Sequence, residues 1–257
     1  MPAKKFPSAQ TLHRLPPATI SEDDGVRLLH LGTEWIQGAM RLNKPDAIEL
    51  EYVQQMMMWM LFNEAPRHIV QLGLGSAALT KFCYRQFPAA RVTAIELNAA
   101  VIDICHAQFA LPPNDARLQV LEMDAQAFVM DPANRGTIDI LQVDLYDAEA
   151  RGPVFDSDAF YQACADCLAP NGMATVNLFG DHAAYGINLA AMQPAFDALA
   201  CLPSRSEEAN VVVIGFKNAP VVDFSVLAQR AAAIRRQTSL PARSWVIGMQ
   251  AWMRGED

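Results

Sequence analysis

The sequence predicts an α/β fold: a mostly parallel seven-stranded sheet preceded by a small N-terminal β-hairpin. Three observations point there. From His68 onward, short apolar runs alternate with helix-like segments, the pattern of a parallel sheet covered on both faces. The first of these runs, His68-Ile69-Val70-Gln71-Leu72, ends in Gly73-Leu74-Gly75, and the next ends in Ile95-Glu96-Leu97. A glycine turn followed by a carboxylate about 20 residues on is how a nucleoside-binding βαβ unit reads. The glycines let backbone approach the ligand, and the carboxylate accepts hydrogen bonds from ribose hydroxyls. The last two apolar runs, 199–202 and 210–216, are joined by a short link, which predicts an antiparallel pair at one edge.

Each element follows in order. Pro2, Pro7, Pro16 and Pro17 break any regular structure, so residues 1–24 read as a loose leader. Residues 25–66 read as a small unit. It has strands at 26–31 and 34–42 with a Gly32-Thr33 turn, then a helix over 48–62 with Asp46 near its start. Residues 67–218 hold the sheet. Its parallel strands are expected at 68–73, 91–95, 118–122, 138–143 and 172–178, and its helices at 77–87, 98–109, 124–130, 157–168 and 183–198. Residues 219–257 form a helical tail, with a helix over 224–237 followed by Trp245 and Trp252. A Rossmann-like sheet that is parallel except for its terminal hairpin is the class I S-adenosylmethionine-dependent methyltransferase-like arrangement.

Composition narrows the function. At 257 residues and 52% hydrophobic, the chain can bury a large core. A net charge of -8 argues against nucleic acid as a main partner and suits a cationic small substrate. Five cysteines in a long chain do not make a disulfide framework. Cys164 and Cys167 lie in a helical pattern with no second ligand pair, so core thiols are expected rather than a metal site. No apolar run reaches the roughly 18 residues of a membrane span, and no signal-peptide pattern is present, so a cytoplasmic protein away from membranes is expected. The N-terminal hairpin and the apolar run Met56–Phe62 suggest a homodimer, the run being equally well explained as a wall packed over the site.

In an open parallel sheet, ligands bind at the carboxyl ends of the strands. There the sequence places Gly73, Gly75, Glu96, Asp124-Ala125, Asp144-Leu145-Tyr146-Asp147 and Asn177. Asp124 and Glu96 also suit helix caps. Asp144 and Asp147 are the sharpest pair. Crowding of two carboxylates and partial burial just past a buried strand raise at least one pKa, which suits proton acceptance, and the pair attracts an amine.

Taken together, these motifs resemble the spermidine synthases, or polyamine aminopropyltransferases. The shared parts are Gln37, Glu49-x-x-Tyr52 before a Met-rich helix, Gly73-x-Gly75, Ile95-Glu96-Leu97, Asp124-Ala125, Asp144-x-x-Asp147 and Phe160-Tyr161. The resemblance implies decarboxylated S-adenosylmethionine as donor and no metal. Gly73, Gly75 and Ser76 would be the donor's loop, Glu96 and Leu97 would hold its ribose, and Asp124 and Ala125 would lie by its adenine. Asp144 would take the proton from the attacking amine, with Gln37, Tyr52, Tyr146 and Asp147 lining the site. The chain departs from the family at four places. Ser76 stands where the loop carries an aspartate, Val53 follows Tyr52 in place of His or Gln, and Ala148 replaces a proline. No Tyr-Pro-Ser-Gly precedes the last strand, which reads Glu207-Glu208-Ala209-Asn210. Ser76 in particular opens the alternatives of S-adenosylmethionine-dependent methyl transfer and of a non-catalytic nucleoside-binding protein. A nicotinamide enzyme also satisfies the glycine pattern but needs neither Asp124 nor Asp144.

Overall fold

The computed structural model describes residues 15–147, 155–180, 184–203 and 210–255. The leader up to Arg14, together with Ala148, Asp181 and Glu207-Glu208-Ala209, lies outside them. The chain opens with a three-stranded antiparallel sheet of β1 (Ala18–Asp23), β2 (Val26–Leu31) and β3 (Gly38–Arg41). The expected loose leader is therefore a strand from Ala18 onward. Asp24 and Gly25 both adopt positive φ, 44° and 72°, the two-residue turn whose twist matches a hairpin. That Asp-Gly pair is a strong hairpin signal, which the four prolines upstream obscured. The strand expected from residue 34 begins only at Gly38.

The main sheet has seven strands in the order β6-β5-β4-β7-β8-β10-β9. Strands β4 (His68–Leu72), β5 (Arg91–Glu96), β6 (Leu118–Glu122), β7 (Ile138–Val143) and β8 (Leu168–Phe179) are parallel. Strand β10 (Asn210–Phe216) runs antiparallel to both β8 and β9 (Ala198–Pro203). The predicted edge is thus observed, and the chain reverses its winding direction between β4 and β7. That point is where ligands bind in such sheets.

Alternate residues of each strand feed two cores. Ile69, Val92 and Ile140 face α2 (Ala78–Gln86), α3 (Ala99–Gln108), α7 (Phe224–Thr238) and α8 (Ala242–Arg254). Val70, Leu72, Leu141 and Val143 face α4 (Ala125–Met130), α5 (Asp158–Cys167) and α6 (Ala184–Met192). The helix α6 stops at Met192 rather than 198 because Pro194 cannot continue it. No disulfide joins the five cysteines, and all are buried in these cores. Among the described residues, no helix is long and apolar enough to cross a membrane.

The expected helix over 48–62 is corrected. It divides into α1 (Glu51–Gln55) and a 3-10 turn at Met58–Leu61. The cause is long-range: the Met56 carbonyl accepts from Gln142 Nε2 at 3.2 Å and Thr175 Oγ1 at 3.1 Å, so it leaves the helical ladder. Asp46 caps nothing there and pairs with Arg85 at 2.7 Å. The Met56–Leu61 run is wholly buried, with α7 and α8 packed over it. It offers no exposed apolar face, so the ground for expecting a homodimer there falls away.

Candidate active site

The site forms where the loops after β4 and β7 meet. Gly73 has φ +90°, and a Cβ there would lie 2.1 Å from the Asp144 carbonyl, so only glycine fits. Gly75 has φ +51°, and a Cβ on it would come within 3.0 Å of the Gln37 carbonyl. These approaches draw the glycine loop, the β7 loop and the N-terminal sheet around one cleft. Gln37, Tyr52, Gly73, Gly75, Ser76 and Asp144 all line it.

Asp144 sits at its floor. The backbone N–H of Asp144 donates to Leu72 O at 2.9 Å, which fixes the residue to the switch-point strand. Its carboxylate accepts from Asn177 Nδ2 at 2.9 Å and from the Tyr52 hydroxyl. Burial pushes the Asp144 pKa up to about 6 from its ordinary 3.8, against the opposing pull of those two donors. A carboxylate with a pKa near the working pH is suited to taking a proton from an amine.

Glu96 ends β5 and is held from both sides. Leu74 N–H donates to Oε2 at 3.0 Å and Asn98 N–H to Oε1 at 2.8 Å. Burial raises its pKa, and the amides of Asn98, Leu74 and Leu97 work against that rise. Leu97 is exposed beside it. One strand further, Asp124 caps α4 by accepting from Ala127 N–H at 2.8 Å, and the neighbouring Ala125 is buried. Met123, half-exposed, directly precedes Asp124 at the same strand end.

Residues 51–181 match the family described as the spermine/spermidine synthase domain. The chain belongs to that family. A polyamine aminopropyltransferase of Chromobacterium violaceum is 29% identical over 218 residues, covering 84% of this chain and 83% of the relative. One from Neisseria meningitidis is 28% identical over 239 residues, 92% and 90% of the two chains. The fold matches a probable spermidine synthase from Corynebacterium glutamicum with TM-score 0.71 and 20% identity, over 90% of this chain and 91% of that one. It also matches human methyltransferase-like protein 13 in complex with SAH, with TM-score 0.66 and 21% identity, over 74% and 93%.

Set in this family, the remaining residues fall into three groups. Ser76 occupies the loop position but is buried, its hydroxyl donating to Ala39 O at 3.1 Å. A Cβ on Gly38 would lie 2.5 Å from Ser76 N, so the loop and β3 are locked together there. Tyr146 and Asp147 lie beside the cleft rather than among its lining. The Tyr146 hydroxyl donates to Asn177 O at 3.2 Å, and the Asp147 carbonyl accepts from Gln37 Nε2 at 3.0 Å. The third group went without a role in the sequence reading: Asn177 contacts Asp144, and Asn210 contacts Asn177 at 3.0 Å. A lone asparagine in the apolar run Met173-Ala174-Thr175-Val176-Asn177-Leu178 was the available signal.

Proposed function

We propose that this chain transfers an aminopropyl group from decarboxylated S-adenosylmethionine to an amine, a step of polyamine biosynthesis in the cytoplasm. The observation that carries the reading is Asp144: a carboxylate raised to about 6, held by Tyr52 and Asn177, at the floor of a glycine-walled cleft at the switch point. Glu96 would receive the ribose hydroxyls, its two oxygens already oriented by backbone amides. Leu97, Asp124 and Ala125 would border the adenine. Gly73, Gly75 and Ser76 would carry the backbone past the sulfonium and Gln37 would border the donor, with Tyr52, Tyr146 and Asp147 around the amine.

In the reaction, the amine nitrogen attacks the carbon next to sulfur. The C–S electron pair leaves with sulfur as methylthioadenosine, and the amine's proton passes to Asp144. The sulfonium is already a good leaving group, so alignment of the two reactants supplies most of the acceleration.

One observation favours a second reading, methyl transfer from S-adenosylmethionine. Among the described residues, Asp144 is the sole carboxylate lining the cleft, and the Ser76 hydroxyl is committed to Ala39. Nothing in that loop repels a donor that keeps its carboxylate. Mass spectrometry of the nucleoside products separates the two, with each donor supplied in turn beside a pool of diamines and polyamines. Methylthioadenosine that forms only with amine present is the expected result. S-adenosylhomocysteine in its place establishes the methyl-transfer reading. Binding of either donor without turnover overturns both.

A further inference from the structure

We propose that Asn210 is a positioning residue that locks the Asn177 amide with its N–H toward Asp144, an inference resting on Asp144 as the proton acceptor. The geometry begins with strand register. Val212 of β10 lies opposite Asn177 of β8, so Asn210, two residues earlier on the same face, reaches Asn177 diagonally. Asn210 Nδ2 donates to Asn177 Oδ1 at 3.0 Å, and Asn177 Nδ2 donates to Asp144 Oδ1 at 2.9 Å. Asn177 is buried, with 1% of its surface exposed.

An amide has one accepting end and one donating end, and an ionised carboxylate only accepts. Asn177 therefore serves Asp144 in one of its two orientations. In the other, its oxygen would face the carboxylate. Asn210 selects between them by supplying a donor to the oxygen. The Asn210 side chain also bonds the Tyr146 hydroxyl, which itself donates to the Asn177 carbonyl. The Asn210 amide is thereby oriented in turn, and the chain of contacts from β10 to Asp144 has no freely rotating member.

Among the described residues, the titratable groups around Asp144 are few. Tyr52 approaches from α1, and Tyr146 lies on the same loop with Tyr161 of α5 behind it. Asp147 is three residues on, and the β4 loop presents only Gly73-Leu74-Gly75. Phenols ordinarily titrate near pH 10, well away from a transition near pH 6, and the Asp144 carboxyl carbon reports its own protonation.

The test is the titration of the Asp144 carboxyl carbon by NMR in the full chain, read without turnover. Asn210→Leu keeps bulk but removes the donor. It is expected to move the Asp144 midpoint up by about one pH unit, the effect of weakening one charge-assisted hydrogen bond. In an Asn177→Leu background the same change is expected to move it no further, because Asn210 acts through Asn177. Asn210→Gln, which retains a donor, is expected to return the midpoint most of the way to the wild-type value. Should Asn210→Leu fail to fold, Asn210→Ala takes its place in the same cycle. An unchanged midpoint, or an equal shift in both backgrounds, overturns the proposal. Failure of the proton-acceptor reading shows separately, as retained turnover in Asp144→Asn.

Discussion

Two polar clusters stand one step apart on the same pair of strands, and their difference separates what holds this fold from what works in it. Gln142 of β7 lies opposite Thr175 of β8. Two residues further along each chain, on the same face, come Asp144 and Asn177. The first cluster is sealed. Gln142 receives from Gln71 at 3.1 Å and donates to Met56 O, Thr175 donates to the same carbonyl, and Thr80 donates to Gln71 at 2.6 Å. It is neutral, fully buried and saturated. The second has the same architecture but carries a carboxylate and opens into the cleft. Satisfied amides pin the Met-rich segment to the sheet, and that segment's first turn carries Tyr52 to Asp144.

The largest expected effect is on the open cluster. Asp144→Asn is expected to lower amine transfer by roughly 10²- to 10⁴-fold, the usual contribution of a positioned acid or base, while donor still raises the melting temperature. The pH dependence has a definite sign. A pKa of about 6 in the fold against an ordinary 3.8 means the folded state binds more protons between those values. Wild-type stability therefore falls as pH rises from about 4 through about 6, and Asp144→Asn lacks that fall. The kcat/KM of the wild type is expected to drop below about pH 6 as Asp144 takes up its proton. An acidic limb that persists unchanged in a residually active Asp144→Asn would assign it to another group.

This contrast also marks what the sequence made legible. The βαβ unit was readable because its signals are local: glycines at a strand end and a carboxylate at the next one. Asp144 was readable for the same reason, as an acid just past an apolar run. The sealed cluster was not. Gln142 meets Met56 across most of the domain, and that contact breaks a helix whose periodicity looked continuous. Asn177 and Asn210 meet only because of the β8–β10 register, which no local pattern encodes. Ser76 was readable as a substitution, but its turn toward Ala39 follows from the close approach of Gly38.

Glu96 is intermediate, a carboxylate whose oxygens are held by amides yet face the proposed ribose. Glu96→Gln keeps the shape but sets an N–H donor against one of the two backbone N–H groups, which bond separate oxygens. Donor affinity is expected to fall by about 10- to 100-fold, in line with about 1.5–3 kcal/mol for hydrogen bonds to a charged group. Calorimetric titration with the donor measures it. An affinity equal to wild type would make Glu96 a structural clasp for Leu74 and Asn98 alone.

The sealed cluster predicts the reverse pattern. Gln142→Leu leaves the Gln71 amide N–H without its acceptor, while the Met56 carbonyl keeps Thr175, at a cost of about 1–3 kcal/mol for the buried unsatisfied group. Urea unfolding is expected to show that loss, while kcat at saturating donor stays within about twofold of wild type, since Thr175 still holds Met56 and hence α1. A fall in kcat matching that of Asp144→Asn would erase the distinction between the two clusters.

The smallest effect is expected at Asp124, which has a foot in each role. One oxygen of its carboxylate accepts from Ala127 N–H and starts α4. Its other oxygen is the one the proposed adenine contact would use. Asp124→Ala removes the cap and is expected to cost about 1 kcal/mol of stability, the typical value for a lost N-cap. Asp124→Ser restores a capping oxygen but shortens the reach to the ligand. If Asp124 acts in both ways, serine recovers the stability but not the donor affinity, which stays lowered by less than in Glu96→Gln. If serine recovers both, Asp124 is a cap and nothing more, and the adenine is held by its exposed neighbours Met123 and Leu97 instead.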